Sequence, residues 1–247
     1  MNLALFGGTF DPVHRGHLAV ARAAAKAFAL RLIYFVPADL PPHKGNRVLT
    51  DFRHRIAMLA LATAENDSFV PSLLEADSAQ PNYSIETVRR FKRTLKKADH
   101  LYFLIGIDAF MEISTWRQPV QLLGECDFIV ASRPGYSLAD VGKALPEALR
   151  PSAEVLDALR QQQAGGTIAL PSTTIHLLSD VNEKISSTRI RAAARKSLNQ
   201  LSGYVPEPVA RYIKKEHLYM ATALPAEKTS TKQAKVLSFH RAHYQKP

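Results

Sequence analysis

Short apolar runs alternate with longer amphipathic stretches along most of this 247-residue chain. The runs are rich in β-forming residues, as strands buried on both faces of a sheet should be. The strongest runs are residues 3–6, 31–37, 101–106 and 127–132, and weaker ones are residues 69–74 and 174–178. Each is short enough to be one strand of a globular sheet.

The stretches between these runs carry the periodicity of amphipathic helices. Helices are predicted over residues 17–29, 51–65, 84–97 and 186–195, with another near 206–215. Thr50 or Asp51 is a suitable N-cap for the second of them. Regular alternation of strand and helix predicts an α/β fold, specifically a doubly wound, Rossmann-like parallel sheet with helices on both faces.

Two segments depart from this alternation. Residues 134–166 are helical in character, punctuated by proline and closed by a glycine pair, which predicts a helical surface insertion. From residue 221 onward the chain is polar, basic and aperiodic, so we expect a flexible tail over residues 221–247. The remaining residues 1–220 are predicted to form one domain.

The overall charge points to anionic partners. Lysine and arginine number 32 against 22 acidic residues, giving a formal net charge of +10 and an isoelectric point near 9.8. Phosphorylated metabolites, nucleic acid and acidic surfaces are the classes such a charge favours. From Glu227 onward there are five basic residues and one acidic residue, so the predicted tail holds +4 of the total.

The single cysteine, Cys126, excludes an internal disulfide framework and a multi-cysteine metal site. It lies beside an apolar run, so a buried and unreactive thiol is expected. No apolar run approaches the roughly 18 residues that a membrane-spanning helix requires. The N-terminus also lacks the pattern of a secretory signal, and we therefore expect a cytoplasmic protein.

The turn after the first predicted strand has an unusual composition, GGTFDPVHRGH, at residues 7–17. In doubly wound sheets, ligands bind beyond the carboxyl ends of the strands. Gly7 and Gly8 allow a tight backbone and the close approach of a ligand. Pro12 disfavours helix at the residue before it and keeps the loop extended.

Two histidines flank Gly16 where this loop meets the following helix. His17 falls in the first helical turn, where backbone N–H groups and the helix dipole attract anions. His14 and His17 are therefore predicted to face one phosphate-binding cleft. The segment matches neither the dinucleotide fingerprint nor a P-loop, and it lacks the partners of a zinc site. The alternative is a surface position for His14 and a capping role for His17.

A second anion site is predicted at ISSTRIR, residues 185–191. Ser186, Ser187 and Thr188 offer hydroxyl and N–H groups at a helix start, and Arg191 lies about one turn further on. The alternative for this segment is an ordinary N-capped surface helix.

The two segments together resemble the signatures of the nucleotidylyltransferases. GGTFDPVHRGH is similar to the family pattern G-[ST]-F-D-P-x-H-x-G-H, and ISSTRIR is similar to I-S-S-T-x-I-R. They occur in the expected order about 170 residues apart. The resemblance covers most of residues 1–220 and excludes the predicted insertion and tail.

Three further segments resemble the bacterial nicotinate-mononucleotide adenylyltransferases: VPADLPPHK, PNYSIETVRRF and GIDAFMEISTW. The resemblance implies that Asp108 binds ribose hydroxyls and that Trp116 stacks on the pyridine ring. It also implies that the helix start at Tyr83 and Ser84 receives the nicotinate carboxylate. Family members often have threonine where Ser84 stands, but the hydroxyl is retained.

The activity implied is adenylyl transfer from ATP to nicotinate mononucleotide in NAD biosynthesis, with His17 and His14 as the catalytic residues. Lys44 and Arg191 are expected to hold phosphates. The full ATP site implied is Gly8, Thr9, Phe10, His14, His17, Gly106, Asp108, Ser187, Thr188 and Arg191. Mg²⁺ is expected to be bound through the ATP phosphates, with no metal ligand from protein side chains.

Other functions remain open from the sequence. Within the class, the acceptor is alternatively nicotinamide mononucleotide or phosphopantetheine. From a different class, the basic tail is compatible with nucleic-acid binding, although no recognised nucleic-acid motif accompanies it. No association with membranes is expected, and a homo-oligomer is possible.

Overall fold

The computed structural model describes residues 1–39, 49–76, 81–133, 135–161, 166–179 and 185–220, and within these ranges seven strands form one sheet. The strands are β1 (Asn2–Gly8), β2 (Leu30–Pro37), β3 (Phe69–Pro71), β4 (His100–Gly106), β5 (Asp127–Ala131), β6 (Gly166–Ala169) and β7 (Thr174–Leu178). Their order is β3-β2-β1-β4-β5-β7-β6. All neighbours pair in parallel except β6, which is antiparallel to β7.

Nine α-helices surround the sheet in the described residues. They are α1 (Arg15–Ala27), α2 (Phe52–Thr63), α3 (Ser84–Lys92), α4 (Ile107–Phe110), α5 (Pro119–Leu123), α6 (Leu138–Ala144), α7 (Ala153–Gln161), α8 (Ser187–Lys196) and α9 (Glu207–Lys215). None of the helices in this part of the chain is long and apolar enough to cross a membrane.

Side chains of successive strand residues enter two separate cores, one on each face of the sheet. In β1, Ala4 and Phe6 pack in the core that α1, α2, α8 and α9 cover. Leu5 points to the opposite face, into the core that includes residues of α3, α5, α6 and α7. This is the period-2 alternation of a strand buried on both faces. The predicted doubly wound α/β architecture is confirmed.

Several element boundaries differ from the predictions because side chains bond to the local backbone. The first helix begins at Arg15 rather than residue 17, since the His14 side chain caps it. α3 ends at Lys92 rather than residue 97, where the Thr94 hydroxyl donates to the Phe91 carbonyl at 2.7 Å. Asp51 caps α2 as expected, by accepting from the Arg53 N–H at 2.8 Å.

The region predicted as a surface insertion contains α6 and α7, and its inner side joins the core. Leu138 and Val141 of α6 are buried, as is Leu156 of α7. The antiparallel edge strand β6 had no counterpart in the sequence prediction. Cys126 is buried as predicted, and burial raises the pKa of its thiol to about 12, which keeps the thiol protonated.

The strand order places a crevice at the carboxyl edge of the sheet. The chain passes outward from β1 to β2 and β3 on one side, and returns to β4 on the other side of β1. Connections therefore diverge after β1 and β4, leaving a gap where ligands bind in such sheets. Gly7 and Gly8 end β1 at this gap, and Gly106 ends β4 beside them.

Candidate active site

His14 and His17 form a reciprocal cap at the start of α1. The His14 Nδ1 accepts from the backbone N–H of His17 at 3.3 Å, and the His17 Nδ1 accepts from the backbone N–H of His14 at 3.2 Å. The two rings are stacked, with centroids 3.6 Å apart. Two backbone donors at the helix start are thereby satisfied by two imidazoles, in the manner of a capping box.

Both imidazoles are held neutral. Burial lowers the pKa of His14 to about 4, with a smaller contribution from the positive charge of Arg133. Burial also lowers the pKa of His17 well below its ordinary value, and His14 and Arg133 add to the effect. Because each Nδ1 accepts a hydrogen bond, the single proton of each neutral ring lies on Nε2. The pair thus offers two Nε2–H donors.

These histidines line a cavity of about 130 Å³, here called the histidine cavity. Its wall joins the start of α1 to the carboxyl ends of β4 and β5. Its lining residues are Phe6, Gly7, His14, Gly16, His17, Val20, Gly106, Ala131, Ser132, Arg133 and Ile185. A cation and a helix N-terminus at one cavity favour an anionic ligand.

The loop between β1 and α1 places Phe10 in the core rather than in a cavity wall. Phe10 is 1% exposed, and its ring lies edge-on to Phe6 and His17 at centroid distances of 5.4 and 4.9 Å. Any contact of Phe10 with a ligand therefore falls to its backbone. A Cβ added at Gly8 would lie 3.1 Å from the Phe10 ring, so any larger residue there would press on the buried ring.

The second predicted anion segment docks directly on this loop. The Ser187 hydroxyl donates to the Pro12 carbonyl at 3.0 Å, and Arg191 donates to the Asp11 carbonyl at 2.5 Å. The Arg191 guanidinium also donates to the Thr188 hydroxyl at 3.2 Å. The structure therefore brings residues 185–191 against the loop between β1 and α1. Ser187 and Arg191 hold this loop through hydrogen bonds to its carbonyl groups.

A larger cavity of about 460 Å³, here called the tryptophan cavity, opens on the other side of Gly7. Its wall is largely apolar and combines strand ends with the start of α3 and the segment after α4. Its lining residues are Gly7, Gly8, Thr9, Val36, Ala38, Glu75, Asn82, Tyr83, Ser84, Thr87, Phe103, Ile105, Ala109, Glu112, Trp116, Arg117 and Leu122. This size suits a ligand larger than a single phosphate.

Aromatic side chains line the tryptophan cavity. Trp116 is half-buried and packs against the core on this face of the sheet. Tyr83 is the N-cap residue of α3, and Ser84 is its first helical residue. The Arg117 guanidinium lies over the Tyr83 ring, 4.7 Å from its centroid. Trp116, Tyr83 and Ser84, which were predicted to contact the pyridine ring and its carboxylate, thus line one cavity.

Gly106 ends β4 and lines the histidine cavity, and Asp108 follows it in α4. Gly106 is exposed, and a Cβ added there would meet open space. Asp108 is exposed and forms an ion pair with Arg133 at 2.7 Å. Lys44 falls outside the described residues. Across the described ranges, no three His, Cys, Asp or Glu side chains cluster closely enough to hold a metal ion.

Sequence reasoning missed Arg133, which faces both histidines and pairs with Asp108. It comes two residues after β5, at the same carboxyl edge as the other site residues. Ligands bind beyond the carboxyl ends of strands in such sheets, and this rule applies to the end of β5 as well as to the end of β1. It could therefore have identified Arg133 from the sequence.

Sequence reasoning also missed Arg55, which is 1% exposed. Its guanidinium donates to the carbonyls of Thr50, Thr9 and Ala38 at 2.8, 3.0 and 2.7 Å, so it ties the loops after β1 and β2 to α2. Arg55 lies one turn before Met58, on the buried face of α2. A charged residue on the apolar face of a predicted helix was the signal that could have identified it.

Comparisons with known proteins identify the family of the chain. The family model described as cytidylyltransferase-like matches residues 5–193. The probable nicotinate-nucleotide adenylyltransferase of Thermoanaerobacter sp. (strain X514) is 36% identical over 219 residues, which are 89% of this chain and 94% of that protein. The protein of the same name from Moorella thermoacetica is 38% identical over 217 residues, 88% of this chain and 91% of that protein.

Solved structures share the fold. The Plasmodium falciparum nicotinic acid mononucleotide adenylyltransferase complexed with NaAD superposes with a TM-score of 0.65 at 20% sequence identity. The match covers 88% of this chain and 97% of that one. At this identity the likeness concerns the arrangement of the sheet and its helices.

Proposed function

The chain belongs to the cytidylyltransferase-like family, and within it to the nicotinate-nucleotide adenylyltransferases, and from that membership we propose how its two cavities divide the reaction. The histidine cavity takes the phosphates of ATP, and the tryptophan cavity takes nicotinate mononucleotide. The observation that carries the proposal is the neutral, stacked histidine pair at the start of α1, in a cavity that shares Gly7 at the end of β1 with the tryptophan cavity.

The reaction is an in-line displacement. A phosphate oxygen of nicotinate mononucleotide attacks the α-phosphorus of ATP, and the bond from that phosphorus to the bridging oxygen breaks. Pyrophosphate leaves with the bond's electron pair, and nicotinate adenine dinucleotide forms. The nucleophile is already an anion, so no general base is needed, and catalysis consists of positioning and electrostatic stabilisation.

The histidine pair supplies hydrogen-bond donors fixed before the substrate arrives. His17 donates from Nε2 to the α-phosphate as its charge redistributes, and His14 donates to an adjacent phosphate oxygen. A neutral donor keeps its proton through the displacement, since neither ring is charged near pH 7. Donors that need no reorganisation at the moment of reaction contribute strongly to the rate. Arg133, at the same cavity, adds positive charge.

The other proposed ATP contacts come from residues at or just after the carboxyl ends of β1 and β4, and from α8. Backbone groups of Gly8, Thr9 and Phe10 line the nucleotide, and Asp108 binds the ribose hydroxyls after exchanging its Arg133 partner for them. Thr188 and Arg191 approach the phosphates from α8 while Ser187 holds the loop. Lys44 remains a predicted phosphate ligand.

Mg²⁺ is proposed to enter with ATP, coordinated by phosphate oxygens and water. The described residues fit this arrangement in so far as the histidine cavity combines the start of α1 with the Arg133 side chain, groups that favour the phosphates to which such an ion would be bound. When bound, the ion would neutralise part of the phosphate charge, and the Nε2–H groups of His14 and His17 would orient the phosphates.

A substrate panel tests the proposal. ATP is supplied with nicotinate mononucleotide, nicotinamide mononucleotide or phosphopantetheine, and pyrophosphate release is measured for each. We expect the highest kcat/KM with nicotinate mononucleotide. Faster release with phosphopantetheine, or release that needs no acceptor, would contradict the assignment.

A further inference from the structure

We propose that Arg55 is a positioning residue for adenylyl transfer, because it holds the walls of the two cavities in one fixed arrangement. The inference rests on the proposed function and deepens it, since it names the side chain that keeps the acceptor's phosphate in line with the α-phosphate of ATP. Arg55 is not among the described residues that line either cavity. Its effect on the reaction therefore passes through the residues that it holds.

Arg55 joins the loop after β1 to the loop after β2. The paired strands end with Gly8 beside Pro37, and the Ala38 N–H donates to the Gly8 carbonyl at 2.9 Å. Beyond this point the Arg55 Nη1 donates to the carbonyls of Thr9 and Ala38, at 3.0 and 2.7 Å. Thr9 and Ala38 both line the tryptophan cavity. One nitrogen atom therefore links two parts of the wall of that cavity.

A further pair of hydrogen bonds connects Arg55 to the loop that carries the histidine pair. The Arg55 Nε donates to the Thr50 carbonyl at 2.8 Å, and the Thr50 N–H donates to the Asp11 carboxylate at 3.3 Å. Asp11 is buried and lies three residues before His14, which lines the histidine cavity. The guanidinium is thus bonded to the wall of one cavity and, through Thr50, to the loop that enters the other.

A guanidinium suits this task because its donors are fixed in one plane. The Arg55 Cζ lies 5.4 Å from the centroid of the Phe52 ring, so the ring supports one face of the group. The N–H edge bonds to the three carbonyls, and the acidic neighbour Asp39 lies 4.0 Å away. Lysine carries its charge as a single point on a flexible chain and cannot reproduce this fork.

Fixing the Thr9 carbonyl also fixes the opposite side of its peptide plane. The N–H of Phe10 belongs to the same planar peptide, and in a trans peptide the two groups point in opposite directions. Because the Thr9 carbonyl points to Arg55, the Phe10 N–H points away from it. Backbone groups of Thr9 and Phe10 are proposed ligands of ATP, so Arg55 sets the direction of one of these donors.

A reaction between two bound substrates depends on how their sites lie relative to each other. Misplacement of the reacting atoms by about 1 Å can lower a rate roughly 100-fold. Each substrate alone still meets its own cavity when the arrangement of the two cavities loosens. The dinucleotide product occupies both cavities at once, so its affinity reports their relative position as kcat does.

The test measures kcat and three dissociation constants for the full chain and for Arg55→Lys and Arg55→Gln. ATP, nicotinate mononucleotide and nicotinate adenine dinucleotide are each titrated separately by calorimetry. In both variants kcat should fall roughly 10–100-fold. The dinucleotide should bind roughly tenfold more weakly, whereas each substrate alone should stay within about threefold of the wild type.

Arg53→Lys is the matched control, because Arg53 lies two residues earlier in α2 and its side chain is 88% exposed. All four quantities should stay within about twofold in this variant. Trimethylamine N-oxide, which favours folded states, is added equally to all samples. A thermal melt then gives the folded fraction of each protein at the assay temperature.

The outcomes separate this inference from the proposed function. A normal kcat, or equal weakening of the dinucleotide and both substrates, overturns the inference. A kcat that falls only with the folded fraction, or failure of both variants to fold in the osmolyte, gives Arg55 a merely structural role and also overturns it. The same pattern in Arg53→Lys overturns the specific role of Arg55. A wild-type protein that transfers no adenylyl group to nicotinate mononucleotide overturns the proposed function instead.

Discussion

The imidazoles of His14 and His17 each use Nδ1 for the backbone of α1 and leave Nε2 for a ligand. The helix cap therefore fixes the tautomer of both rings. Their stacking at 3.6 Å adds a second restraint on ring orientation. The orientation of both Nε2–H groups is therefore set by the protein itself, before any ligand binds.

Replacement of His17 by alanine should lower kcat for adenylyl transfer by roughly 10²–10³-fold, the effect of losing one preorganised donor. The KM values should change less, because the remaining contacts still bind both substrates. Steady-state kinetics with a thermal melt as the folding control provides the measurement. Normal kcat in a folded variant would remove His17 from the catalytic role.

Acid should destabilise the fold through His14. The unfolded state takes up this proton near the ordinary value of 6.5, while burial lowers the pKa in the folded state to about 4. Between these values the unfolded state binds more protons, so stability falls as the pH falls. At pH 5.5 the loss from His14 is about 1 kcal/mol relative to neutral pH.

Urea unfolding of the wild type and of His14→Asn at pH 7.5 and 5.5 checks this expectation. Asparagine is a good N-cap residue and does not titrate in this range. The wild type should lose more stability on acidification than the variant. Equal losses in the two proteins would contradict the assignment of a low pKa to His14.

Trp116→Ala should weaken the pyridine mononucleotide and spare ATP. Base stacking on an aromatic side chain contributes about 1–3 kcal/mol, which is roughly 5–150-fold in Kd. Trp116→Phe should recover much of the loss because a flat ring remains. Separate titrations of each substrate, with a thermal melt alongside, make the measurement. Equal weakening of both substrates with a collapsed Tm would instead identify Trp116 as a packing residue.

At the scale of elements, the loop between β1 and α1 is held from two distant parts of the chain. Ser187 and Arg191 of α8 donate to its carbonyls. After α9, the Tyr219 hydroxyl donates to the buried Asp11 carboxylate at 2.7 Å. The loop that carries the histidine pair thus depends on hydrogen bonds that close only when the last elements pack.

Tyr219→Phe should lower the free energy of unfolding by about 1.5–3 kcal/mol, as expected when a hydrogen bond to a charged group is removed. Urea titration at neutral pH measures the change. Tyr136→Phe is the matched control, because Tyr136 is 39% exposed and its substitution should change stability by less than about 0.5 kcal/mol. Equal stabilities of all three proteins would show that the Tyr219 hydroxyl does not support the loop.

At the scale of the whole molecule, the charge is divided between the family-matched part and the C-terminal segment. The cytidylyltransferase-like match ends at residue 193, and the residues from Glu227 onward carry five basic side chains and one acidic one. Removing that segment lowers the formal net charge from +10 to +6. Any binding of polynucleotides through the segment would be salt-dependent.

A protein of residues 1–226 should keep kcat/KM for adenylyl transfer within about twofold of the full chain, since the removed segment lies beyond the family match and holds none of the predicted site residues. Pyrophosphate release at matched ionic strength measures it. A large loss in a folded, truncated protein would show that the segment reaches the site or supports an assembly. Polynucleotide binding that disappears with the segment would locate that activity there.

The sequence by itself determined the fold class and the main loop of the site. Short apolar runs that alternate with amphipathic helices specify a sheet buried on both faces. The spacing of apolar residues along the chain is enough for that conclusion, because each element buries its own apolar side. The glycines that end β1 and the histidines that follow it predicted an anion site for the same local reason. The Phe10 side chain shows the limit, because nothing nearby in the sequence distinguishes a buried ring from an exposed one.

Only the tertiary structure decided which charged groups meet. Arg133 faces the histidines, Arg55 is buried among loop carbonyls, and Tyr219 reaches Asp11 across 208 positions of the chain. The position of Arg117 over Tyr83 is of the same kind. Such pairs depend on how separate elements pack and on the free energy of removing each charge from water, and neither quantity is present in a local pattern.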